Sequence, residues 1–126
     1  MYSHNMIGSN DLEKSKAFYD ATFTALGGNE GTIDPFGRAV YVHKDGIFIV
    51  TAPINGEPAT AANGSTIGFA VDTPEQANDW YAAGVASGGT AIEDPPGVRD
   101  MGGRKLYLAY LRDPDGHKLC VLKWMD

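Results

Sequence analysis

Two stretches of this chain, about 70 positions apart, share one design. In the later stretch, Lys105 to Lys123, two runs of β-forming residues flank Asp113-Pro114-Asp115-Gly116. Proline presets one dihedral of such a turn and glycine accepts positive φ, so the stretch reads as a β-hairpin. The earlier stretch, Arg38 to Thr51, has two apolar runs around Lys44-Asp45-Gly46 and reads the same way. A chain whose two halves end alike is constrained to fold as a duplicated module.

The segments before the hairpins repeat as well. Ser3 to Gly8 is a short apolar run that reads as a strand. Asn10 and Glu13 then have the N-cap and N3 spacing of a capping box. Leu12, Tyr19, Phe23 and Leu26 recur at helical intervals until Gly27-Gly28. In the second half, Ser65 to Asp72 is a strand, and Thr73-Pro74-Glu75-Gln76 supplies a cap, a proline at N1 and a glutamine at N3. Ala77, Trp80, Tyr81 and Gly84 continue the helix to Gly88-Gly89. The caps lie 63 positions apart (10 to 73) and the terminating glycines 61 (28 to 89), close to half of 126 residues. A long period present twice makes a paired-module domain, since a solenoid needs at least three copies to bury a core.

The expected fold is therefore α+β: two side-by-side βαβββ modules, their strands forming a curved mixed sheet around a cavity, with helices on the outer faces. Neither half has enough core to stand alone. Module one spans about 1–53, a linker about 54–64 and module two about 65–126. The stretch from Glu93 to Gly103 also reads as a loop. Carrying Arg99 and Met101 among glycines inside a module, it reads as a cavity lid.

Ten basic against 16 acidic residues give a net charge of −6, which argues against a nucleic-acid or anionic-membrane partner. The N-terminal residues lack a basic and an apolar signal region, and no apolar run approaches a membrane span. The lone cysteine, Cys120, leaves no internal disulfide framework, so the expected location is the cytoplasm.

The Ser3-His4 strand with Asn10-Asp11-Leu12-Glu13 and Ala17-Phe18-Tyr19-Asp20, the half-chain repeat and the Arg112-Asp113-Pro114-Asp115-Gly116 hairpin resemble the glyoxalase/bleomycin-resistance/extradiol-dioxygenase family, the vicinal oxygen chelate superfamily. The resemblance covers essentially the whole chain. It implies paired βαβββ modules, frequent homodimers and, in the enzymes, a divalent metal that chelates vicinal substrate oxygens. At the family's ligand positions this chain carries His4 on the first strand, Thr66 on the equivalent strand of module two, Cys120 on the last strand and Ile49 on the last strand of module one. Only His4 is the usual ligand type. A threonine hydroxyl and one thiolate make a poor catalytic donor set. His43 and His117 do not restore it: strand alternation turns His117 to the opposite face from Cys120.

Three functions are compatible with these residues. One is metal-independent binding of a small organic molecule, without a cofactor, in the cavity between modules or subunits, lined by His4, Ile49, Thr66, Arg99, Tyr107 and Cys120. Arg99 would pair with an anionic group, and Tyr107, Tyr110 or Trp124 would stack on a planar ligand. The second is a metal-dependent glyoxalase (lactoylglutathione lyase) or dioxygenase with a rearranged site built on His4 and completed by Glu93, Asp94 or a partner subunit. The third is metal-free catalysis with His4 as general base and Arg99 or Tyr107 holding an oxyanion. Cys120 reads as a buried small hydrophobe, with Lys118 nearby as the one feature that would activate it. A homodimer is expected from the exposed edges of two small sheets.

Overall fold

The computed structural model describes residues 1–125. In chain order the elements are β1 (Asn5–Gly8), α1 (Leu12–Ala25), β2 (Thr32–Ile33), β3 (Ala39–His43), β4 (Gly46–Thr51), β5 (Ile67–Ala70), α2 (Pro74–Ala86), β6 (Thr90–Ala91), β7 (Gly97–Met101), β8 (Arg104–Arg112) and β9 (Lys118–Trp124). Two mixed sheets result. The first has the order β1-β4-β3-β2, and the second β5-β9-β8-β6 with β7 also on β8. In each, the strand before the helix lies parallel to the last strand of its module: Asn5 opposes Phe48, and Ile67 opposes Leu119.

The repeat is thus exact in register. Strand β5 follows β1 by 62 positions (5 to 67), and β9 follows β4 by 71 (48 to 119). The nine extra residues in module two lie between α2 and β9. They include β7, which corrects the expectation of a loop from Glu93 to Gly103. Gly97 to Met101 pair with Leu108 to Arg104, so the middle of the presumed lid is an edge strand.

Helix α1 starts one residue later than expected. Asp11, not Asn10, is the N-cap, and its carboxylate accepts from Lys14 N. Asn10 instead crosses the molecule. Its backbone N–H donates to Asp115 at 2.9 Å, and its side chain brackets Ala59, donating to the carbonyl and accepting from the N–H. For α2, Thr73 caps Gln76 N as the sequence implied, and Gln76 Oε1 accepts from Asp72 N.

Both helices pack on the same side of their sheets and against each other. Phe18, Tyr19, Phe23, Tyr41, Phe48, Trp80, Leu111, Leu119 and Val121 form one continuous cluster beneath them. Glycines allow the close approach: a Cβ at Gly89 would meet Phe18 at 2.5 Å and the Gly84 carbonyl at 2.8 Å. Rings meet edge to face across the module boundary, Phe69 lying 5.4 Å from Phe23 and 5.5 Å from Phe48.

Candidate functional site

Side chains alternate across each sheet, so every strand has a helix-facing and an open set. In the first sheet the open set includes Met6, Val40, Val42, Ile47 and Ile49, joined by the pairings Met6 with Ile49 and Val42 with Ile47. In the second it includes Gly68, Leu108, Tyr110, Arg112, Lys118 and Cys120, with Cys120 opposite both Gly68 and Tyr110. Ile49, Leu106, Leu108 and Cys120 are buried yet stand outside the cluster under the helices.

The four positions singled out by family resemblance fall into register-equivalent pairs. Ile49 and Cys120 differ by the 71 positions that relate β4 to β9, and His4 and Thr66 by the 62 that relate β1 to β5. His4 and Thr66 are exposed, each one residue before its strand. His4 Nδ1 lies 2.8 Å from Ser3 Oγ. Cys120 is buried, and burial pushes its thiol up, with Glu93 reinforcing and Lys118 opposing. A thiol held protonated is neither a ready nucleophile nor a ready ligand.

This donor set does not fit a substrate-chelating metal. It offers one exposed imidazole, one protonated thiol, a hydroxyl and an alkyl chain. Among the described residues no group of three or more His, Cys, Asp and Glu side chains lies together. Glu93, a candidate to complete a rearranged site, is ion-paired to Lys118 at 2.5 Å. The Asp94 carbonyl accepts from Arg99.

Of two other residues expected at the cavity, Tyr107 is placed elsewhere, whereas Arg99, paired with Leu106, stands on the open face but is held by its own turn. Tyr107 lies on the helix-facing side of β8, packs against the core cluster and donates its hydroxyl to Asn78 of α2 at 2.7 Å. Alternation along β8 explains this, since Tyr110, three residues on, has the opposite orientation. Arg99, on β7, folds its guanidinium back onto the carbonyls of Asp94, Pro95 and Gly97. It ties down the turn before its own strand.

One functional candidate was absent from the sequence reading. Arg112 pairs across the hairpin with Lys118, and these two cations with the turn from Ala61 to Thr66 line a polar cavity of about 230 Å³. Arg112 donates to Gly116 O at 2.8 Å, and Lys118 Nζ lies 5.0 Å from the centre of the Tyr110 ring. The signal was present: two basic residues flanking a hairpin turn at paired positions share a face. The open surface therefore has an apolar half on module one and a cationic corner on module two.

Two sheets built from register-matched βαβββ halves, with their helices together and open faces on the other side, define a paired-module α+β protein. The chain belongs to the glyoxalase/bleomycin resistance protein/dioxygenase superfamily, whose model matches residues 2–121. Among solved structures it is similar to a glyoxalase/bleomycin resistance protein from Albidiferax ferrireducens T118, at 56% identity and a TM-score of 0.93 over 97% of this chain and 98% of that one. A glyoxalase/bleomycin resistance protein/dioxygenase family enzyme from Burkholderia phytofirmans PsJN shares the fold, with 20% identity and a TM-score of 0.74 over 98% of both chains. So does a glyoxalase-related enzyme from Fulvimarina pelagi, at 19% identity and a TM-score of 0.70 over 97% of this chain and 86% of that one. No curated protein sequence matches the chain. Among the described residues no helix is long and apolar enough to cross a membrane.

Proposed function

We propose that this protein binds a small amphipathic organic molecule on its open sheet faces without a metal, and that two copies pair as a homodimer to enclose it, in the cytoplasm. The observation that carries the reading is the chemistry of those faces. Met6, Ile47 and Val42 are 42%, 40% and 61% exposed on the first sheet, beside Ile49 at a position where some members of the family would place a carboxylate. Such a surface favours an apolar ligand body and disfavours a hydrated cation.

The cationic corner sets the other end of the ligand. Glu93 offsets the charge of Lys118, which leaves the Arg112 guanidinium as the net positive group there. A guanidinium suits a carboxylate or phosphate. An apolar molecule ending in one anionic group matches both halves of the surface.

Native mass spectrometry of the purified protein, alone and with zinc, nickel, manganese and ferrous iron in turn, tests the metal-independent part. The expected spectrum is a dimer without stoichiometric metal, unchanged in His4→Ala. One metal per subunit in the wild type, lost in His4→Ala, would overturn it. A screen of aryl and alkyl carboxylates then tests the ligand class. Arg112→Ala should weaken a binding carboxylate by roughly tenfold or more, the loss of one charge-assisted hydrogen bond.

A further inference from the structure

The register repeat creates two equivalent junctions where a module's first strand ends against the hairpin turn of the other module. In one, the end of β1 meets the turn between β8 and β9, and the gap is filled. His117 Nε2 lies 2.7 Å from the Gly8 carbonyl, Asp115 accepts from Asn10 N and Ser15 Oγ, and Asp113 accepts from Tyr19 at 2.6 Å. In the other, the end of β5 meets the turn between β3 and β4. Ala70 is the counterpart of Gly8 (8 + 62), and Gly46 the counterpart of His117 (117 − 71). Glycine has no side chain to cross the gap.

What is left is a cavity of about 230 Å³ on the helix side of the sheets, walled by Phe23, Leu26, Tyr41, Phe48 and Phe69, with His43 at its side. Lys44 spans the rim to Asp72 at 2.9 Å. The His43 ring packs Nδ1 toward Gly28, where an added Cβ would lie 3.0 Å away. Its other nitrogen, Nε2, is buried and has no hydrogen-bond partner. Buried polar atoms are almost always paired, so an unpaired one on a residue that lines the cavity marks a place for a partner from outside the chain, reached when the ring turns toward the cavity.

From this we infer that the second junction is a binding site for a neutral, single-ring aromatic molecule carrying one hydrogen-bonding group that meets His43 Nε2. The size agrees: an apolar cavity of roughly 150 Å³ takes benzene, and this one adds room for a substituent. Ring walls favour an aromatic guest through edge-to-face and offset contacts. A hydroxyl on the guest serves either tautomer of His43, since it both donates and accepts. Charge is disfavoured because the walls are apolar, Lys44 at the rim is already paired with Asp72, and the neighbouring Asp45 repels an anion. The site includes none of His4, Ile49, Thr66 and Cys120; Ile47 and Gly68 at its edge also belong to the open faces, and its test reads His43, which does not.

Phenol is the probe. Titrated into the wild-type protein and followed by NMR of the His43 imidazole and the Phe23 and Phe69 rings, it should give saturable shifts with a Kd on the order of 1 mM, as expected for seven heavy atoms. His43→Phe keeps the apolar wall and removes the nitrogen; it should weaken phenol roughly tenfold while leaving benzene binding unchanged. Gly46→His installs the side chain of the filled junction and should abolish binding of both, with circular dichroism confirming that each variant is folded. Absence of saturable shifts in the wild type overturns the proposal. So does phenol affinity unchanged in folded His43→Phe, or retained in folded Gly46→His.

Discussion

At the scale of single residues, the most consequential buried charge is Asp113, and its position explains why the hairpin turn is chemically specific. One carboxylate oxygen accepts from the Tyr19 hydroxyl, and the other from the backbone N–H groups of Asp115 and His117. Burial nevertheless outweighs these bonds and holds the Asp113 pKa above the usual carboxylate range. The native state therefore keeps its proton to higher pH than the unfolded chain does. Stability from this group is complete below the unfolded pKa, near 4, and is lost as pH rises through the native value. Asp113→Asn cannot titrate and keeps an oxygen for the two N–H groups. Compared with wild type by urea unfolding between about pH 4 and pH 7, its relative stability should improve as pH rises. Parallel pH profiles for the two proteins would show that Asp113 titrates normally.

Among the elements, the end of α2 packs tightly against Phe18 of α1. Phe18 and Leu111 are fully buried there, and backbone carbonyls leave no slack: an added Cβ at Gly89 would sit 2.8 Å from Gly84 O and 3.1 Å from Arg112 O. Gly89→Ala should therefore cost roughly 1–3 kcal/mol through overpacking, read as a lower urea midpoint with an unchanged m-value. Gly37 and Gly56 offer a control, since a Cβ at either meets nothing within 4 Å; their positive φ values add a local backbone cost only. The helices were legible in the sequence because 3.6-residue periodicity and capping residues are local signals. The one-residue shift of the first cap was not, because Asn10 and Asp11 are equally good caps. Tertiary contacts to Asp115 and Ala59 drew Asn10 away.

For the whole molecule, the proposed pairing of two copies turns on the open face of the first sheet. Val42, 61% exposed, stands in its middle strand next to Ile47 and points away from the helices. Val42→Glu places a charge there without touching the core under α1. If two copies pair through these faces, the variant should sediment as a monomer while keeping the wild-type circular dichroism spectrum and thermal midpoint within a few degrees. An unchanged dimer would place the interface elsewhere. The inter-module pair Lys44 to Asp72 is exposed at both ends, so it closes the rim of the second junction but contributes little to stability.

The amino-acid sequence by itself determined the duplication, the helices, the hairpins and the residue types at the family's four ligand positions, because each is written in local spacing or in identity at one position. It also carried the family resemblance. Only the tertiary structure decided which side of a strand faced which neighbour. Tyr107 was turned toward α2, and Arg99 onto its own turn. Arg112 was brought beside Lys118. The edge strand β7 was likewise invisible, because Gly97 to Met101 has little β-forming character and gains its structure from the ladder on β8. The difference between a filled junction at His117 and an open one at Gly46 follows from the same cause. A local signal fixes what an element is, whereas packing fixes what it meets.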